Sequence, residues 1–187
     1  MKKNLVLSVL LLSATYSSAD TYAGIAIGKG LNTDSVSVGT LDVENNYLNI
    51  SLILGTGDDG GFKIQGRLNI ISLDKAIYDN THRTLVEIGL DGIKEFEITQ
   101  KFYFYLKAGI AGGYIGIDDT YYDAPIAAES SLNAGIGLAY KLNNKVDLIA
   151  GADYVFRKYQ DVEISYSTTI STKASGFEPY MGMRYSF

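Results

Sequence analysis

Cysteine and tryptophan are absent from this 187-residue chain, and it holds only two prolines and one histidine. Without cysteine there is neither a disulfide framework nor a thiolate metal site. Only Pro125 and Pro179 would interrupt a backbone ladder, so long strands are permitted. The one histidine, His82, stands in Thr81-His82-Arg83. Asp74, Asp79 or a loop serine are its candidate neighbours, but no nucleophile, base and orienting group can be assembled around it. No catalytic residue, metal ligand or cofactor is therefore assigned. Lysine and arginine number 16 against 21 acidic residues, so the basic footprint of a nucleic-acid binder is missing.

Long apolar runs are missing too. Lys2 and Lys3 precede an apolar stretch from Leu5 to Ala14, and small residues follow at Ser17 and Ala19. The stretch is shorter than the roughly 20 residues needed to cross a bilayer. It reads as a signal peptide over 1–19 with cleavage after Ala19, in preference to an anchor helix. Residues 20–187 then form one domain. With Lys2 and Lys3 removed, 14 basic against 21 acidic residues leave a net charge of −7.

What is abundant is glycine, at 20, and tyrosine, at 15, set in a pattern of period two. Phe62, Ile64, Gly66, Leu68 and Ile70 share one face, and Lys63, Gln65, Arg67 and Asn69 the other. Leu132 to Leu142, Val146 to Phe156 and Phe177 to Phe187 alternate in the same way. The segments 21–29, 46–55, 83–97 and 101–116 follow with less clarity. Lys94 breaks the apolar row of 83–97, which predicts a bulge or an early strand end there. Eight strands result. Three links are short: 55–61, Thr99-Gln100 and Asn143-Asn144. The other four, at 30–45, 72–82, 117–130 and 158–175, are longer, polar and mostly acidic.

The expected fold is all-β: an eight-stranded antiparallel up-and-down transmembrane β-barrel. A soluble carrier would place the apolar face inward. Against that, the other face is rich in glycine, serine, asparagine and charge, which suits a narrow lumen. The apolar face also gathers its aromatic residues at strand ends. Phe62, Phe96, Phe102, Tyr140, Tyr185 and Phe187 fall at one rim, and Tyr114, Tyr154, Phe156 and Phe177 at the other, as two interfacial girdles would.

The Tyr22-Ala23-Gly24 opening, the Tyr185-Ser186-Phe187 ending, and the hairpins at Thr99-Gln100-Lys101 and Leu142-Asn143-Asn144-Lys145 resemble the small outer-membrane barrels. That group includes the OmpA transmembrane domain, OmpX and the opacity-type surface proteins. The resemblance implies a bacterial outer-membrane location among lipid and lipopolysaccharide, with both termini periplasmic. It further implies that the barrel-assembly machinery reads the terminal aromatic residue Phe187, with Tyr185 in the same alternating row.

The predicted inward face carries Lys63, Arg67, Lys107, Lys141, Arg157 and Arg184 opposite Glu87, Asp91, Glu95, Asp147, Asp153 and Glu178. Isolated charges are costly inside, so this balanced set is expected to pair across strands and plug the lumen. An open selective pore would more often carry an excess of one sign. The remaining acids, among them Asp34, Asp42, Glu44, Asp118, Asp119, Asp123, Glu129, Asp161 and Glu163, are assigned to loops as solvated surface. No spacing of a calcium loop is present. Tyr121 and Tyr122, with Tyr114, Tyr159 and Tyr166 nearby, are the candidates for binding a host or surface partner, or else for packing the loops together. A structural and surface-interaction role through the loops is the first reading. A narrow porin or small-solute channel is the second, and a lipid A-modifying enzyme the third.

Overall fold

Strict alternation fixes every second side chain on one face, so a sheet that closes sorts the chain into an inside and an outside. The computed structural model describes residues 21–36, 41–78, 81–117, 125–164 and 168–187. Its elements are β1 (Thr21–Val36), β2 (Leu41–Glu44), β3 (Tyr47–Gly57), β4 (Phe62–Leu73), β5 (Thr84–Thr99) and β6 (Phe102–Gly116). They continue with β7 (Ile126–Lys141), β8 (Val146–Tyr159), β9 (Val162–Ile164), β10 (Thr168–Ile170) and β11 (Thr172–Ser186). Eight of these are long, and each pairs antiparallel with its neighbour in chain order. The circle closes where β1 meets β11, with Tyr22 opposite Ser186 and Ile25 opposite Met183. Closure leaves the barrel wall no free edge. β2 extends the β1 hairpin beyond the wall, while β9 and β10 form a separate two-stranded ribbon at the same end.

Both described ends of the chain lie at one mouth, where the Phe187 amide donates to the Thr21 carbonyl at 3.0 Å. The tight turns lie there too, and their chemistry explains them. The Asn143 side-chain oxygen accepts from the amides of Lys145 at 2.8 Å and Val146 at 3.0 Å, a turn that asparagine closes on itself. Thr99 Oγ1 accepts from the Phe102 amide at 3.1 Å. In the turn before β4, Gly60 has a φ of +66°, a left-handed conformation that favours glycine.

Strands run further than the apolar pattern predicts. β1 continues past 29 to Val36, β4 past 70 to Leu73, and β11 begins at Thr172. β7 starts at Ile126, so the expected loop 117–130 is shortened by five residues at its end. β5 does not stop at Lys94. It runs to Thr99 with an irregularity between Glu97 and Thr99, and Lys94 stays exposed at the rim.

The outer wall is apolar: Ile27, Leu52, Leu90, Ile110, Ile136 and Met181 are among the exposed large side chains. Aromatic residues sit at both ends of this belt. Phe102 and Tyr140 contact at 4.7 Å between centroids near the turns, and Tyr154 and Phe177 at 5.1 Å toward the loops. No helix among the described residues is long and apolar enough to cross a membrane.

Candidate functional site

The lumen is built from the inward row of each strand, and the charges in it are stacked in three tiers. At the terminal mouth, Lys63 Nζ lies 3.0 Å from Glu95 and 2.9 Å from Asp59. Arg184 pairs with Glu95 at 2.8 Å and with Asp147 at 3.3 Å. Lys141 binds the second oxygen of Asp59. Asp59 comes from the turn before β4 and folds inward to clamp two lysines on non-adjacent strands. Burial opposes its charged form, but the two ammonium groups outweigh that and hold its carboxyl below the ordinary value.

In the middle tier Arg67 meets Asp91 at 2.8 Å and donates to Asn133 at 2.8 Å. Gln65 donates to Asp91 at 3.1 Å. Across the barrel Lys107 meets Asp153 at 2.6 Å and lies 4.2 Å from the centroid of Tyr180, a cation–π contact. The hydroxyls of Tyr180 and Tyr105 share a hydrogen bond of 2.8 Å. These two rings therefore meet inside the lumen from β6 and β11.

Toward the loops, Arg157 pairs with Glu87 at 2.7 Å and lies 3.9 Å from Glu178. It also donates to the Tyr47 hydroxyl at 2.9 Å, and Tyr47 donates to Glu178 at 2.7 Å. Asn49 and Asn69 donate to Glu178 and Glu87 at 2.7 and 3.0 Å. The open volume left among these groups is about 40 Å³. That is room for a few water molecules.

All twelve inward charges read from the sequence therefore lie in the lumen, and each has a partner of opposite sign. Two acids were not among them. Asp59 was assigned to a turn. The sequence pattern places Glu129 in a loop, but β7 begins at Ile126 and its alternation carries Glu129 inward, where it is 5% exposed. Neither of its oxygens has a hydrogen-bond partner, and the hydroxyl of Ser131 below it is likewise unpartnered. Glu129 faces Gly113, which in turn faces Glu87. The tier nearest the loops thus holds three carboxylates, Glu87, Glu129 and Glu178, for one guanidinium. The Ala127, Glu129, Ser131 alternation was the signal that could have found it.

Above that tier the lumen turns apolar. Ile71, Leu85, Ile115, Ile117, Val162 and Tyr159 form a buried cluster across the loop mouth, with Tyr78 packed edge-on against Tyr159 at 6.4 Å. Tyr159 is 1% exposed, so it is part of this seal and not of an exposed binding surface. Tyr114 faces outward at the aromatic rim. His82 is exposed, with Nδ1 3.1 Å from Thr81 Oγ1. Asp74 and Asp161 are exposed. Tyr121, Tyr122, Asp79, Asp118, Asp119 and Asp123, and the side chains of Asp34, Asp42 and Glu163, lie outside the described residues, as do Tyr166 and the segment 1–20.

A closed wall that is apolar outside, with cross-strand ion pairs inside, defines a small transmembrane β-barrel of the outer-membrane type. Solved structures share the fold. Neisserial surface protein A aligns with a TM-score of 0.65 and 19% identity over 91% of this chain and 100% of that one. The outer membrane protein AlkL, in lipid bilayers, gives 0.59 and 11% over 92% of each chain. OprG from Pseudomonas aeruginosa gives 0.54 and 10% over 92% of this chain and 97% of that one. No protein-family model and no curated protein matches the sequence.

Proposed function

We propose that this chain is a bacterial outer-membrane protein that acts as a closed scaffold, holding segments at its loop mouth toward a partner on another surface. Both termini would then be periplasmic, the lipid and lipopolysaccharide of the outer membrane would surround the belt, and the assembly machinery would read Phe187. One observation carries the reading: a continuous stack of ion pairs under an apolar seal, with only about 40 Å³ left open. A barrel filled in this way has its freely variable chemistry at the rim and beyond it. Deleting 118–124, which include Tyr121 and Tyr122, should leave a barrel that still migrates faster unheated than boiled. The same deletion should remove binding to cells or matrix. Undiminished binding by that variant would overturn the proposal.

A further inference from the structure

We propose that the outward pair of lysines on β8 and β11 at the loop end binds the phosphate of a phosphorylated lipid in the surrounding leaflet. The inference rests on the membrane placement proposed above. Lys158 of β8 and Lys173 of β11 are both exposed, and the register sets them directly opposite each other on the outer face. Like charges in that arrangement repel and weaken the sheet unless an anion lies between them. Neither lysine has an ion pair among the described residues.

Their position names the anion's carrier. On β8 the outward row reads Tyr154, Phe156, Lys158; on β11 it reads Phe177, Ser175, Lys173. Tyr154 stands opposite Phe177, and their rings touch at the loop-side girdle. The lysines are four residues further on, roughly 13 Å along strands that rise about 3.3 Å per residue. Aromatic rings mark the hydrocarbon boundary, so the ammonium groups stand at head-group level, facing lipid rather than the lumen. The flank is one-sided. Outward positions at the loop ends of β3 to β7, such as Leu48, Ser72, Val86, Tyr114 and Ser130, carry no charge, and the acids of β2, Asp42 and Glu44, stand opposite Ser35 and Thr33, one strand removed from Lys173. In a chain of net charge −5, a clustered basic flank beside an aromatic pair is a local complement to a lipid-borne phosphate.

The full chain, refolded into nanodiscs of phosphatidylcholine, is offered diphosphorylated lipid A or the same lipid A with its phosphates removed. Retained lipid is counted by native mass spectrometry. The expected result is retention of the phosphorylated lipid with on the order of tenfold preference, lost in the Lys158→Gln/Lys173→Gln variant and kept in Lys94→Gln. Heat-dependent mobility checks that each variant is folded. Equal retention of the two lipids, or an unaffected double variant, overturns the inference. So does displacement of the lipid by millimolar inorganic phosphate, which would make the site one for a free anion. A chain that does not enter nanodiscs overturns the membrane placement as well, which separates the two failures.

Discussion

Arg157 shows what a single residue does in this lumen. It is 2% exposed and is the one guanidinium that Glu87, Glu178 and the Tyr47 hydroxyl share. Removing one partner of a buried pair leaves the other charge unsolvated, which costs about 3–5 kcal/mol. Arg157→Gln should therefore lower the unfolding free energy read from urea titration in vesicles by that order, and Arg157→Gln combined with Glu87→Gln should recover part of the loss. Glu129 predicts the opposite sign. Its carboxyl group is buried beside Glu87, in a tier already rich in negative charge, with the Ser131 hydroxyl as its one adjacent donor and not in good hydrogen-bond geometry. The isosteric Glu129→Gln cannot carry the charge and keeps the shape, so its stabilising effect, about 1–3 kcal/mol, should be largest in the same titration at alkaline pH and fade as the pH falls through neutral. A lower midpoint would mean that the carboxylate has a partner that only binding supplies.

At the scale of the element, the turn before β4 acts as a clamp because Asp59 reaches back into the mouth to bridge Lys63 on β4 and Lys141 on β7. The carboxyl of Asp59 is held below its ordinary value, so its folded form binds a proton less readily than the unfolded chain does. The clamp's contribution is then complete above the ordinary aspartate range near 4 and is lost as pH falls through the lower folded value. Unfolding midpoints of the protein and of Asp59→Asn should differ by a constant amount from pH 5 to 8 and converge below it. A gap that persists at the lowest pH would remove Asp59 from the clamp. Strand identity and facing were legible in the sequence because alternation is a backbone property. Leu68 and Ile70 had to share a side once Lys63 and Arg67 shared the other. Strand ends were less legible. Beyond the girdle the outward row needs no hydrocarbon-facing side chain and the inward row becomes apolar, so Ile70-Ile71 and Tyr114-Ile115 put apolar groups on both faces and the period disappears. Glu129 was lost for that reason, since it falls in the part of β7 where the apolar row had thinned to alanine. Asp59 was lost because turn geometry, not alternation, turns it inward.

The whole molecule ties these effects together, because a closed barrel lets each tier reach across the lumen to strands that never pair. Lys107 on β6 meets Asp153 on β8, and Arg184 on β11 meets Glu95 on β5. Such cross-links oppose flattening of the wall as well as filling it. They also make permeation an all-or-none matter, since an ion must displace pairs in three tiers and then pass the apolar seal of Ile71, Leu85 and Ile115. Charged groups separated from water by such a seal repay little to a hydrated ion that leaves its own shell. Planar-bilayer recordings on the refolded protein should accordingly show no reproducible unitary steps at 100 mV. Shaving the tiers should change that in order. Lys107→Ser with Asp153→Ser opens only the middle and should stay silent, whereas steps should appear only once the paired charges of all three tiers are replaced together with Ile71→Ser and Leu85→Ser. Regular steps from the unaltered protein, shifted in size by Asp153→Asn, would instead mean that the ion pairs rearrange to pass solute. The scaffold reading would then give way to a channel.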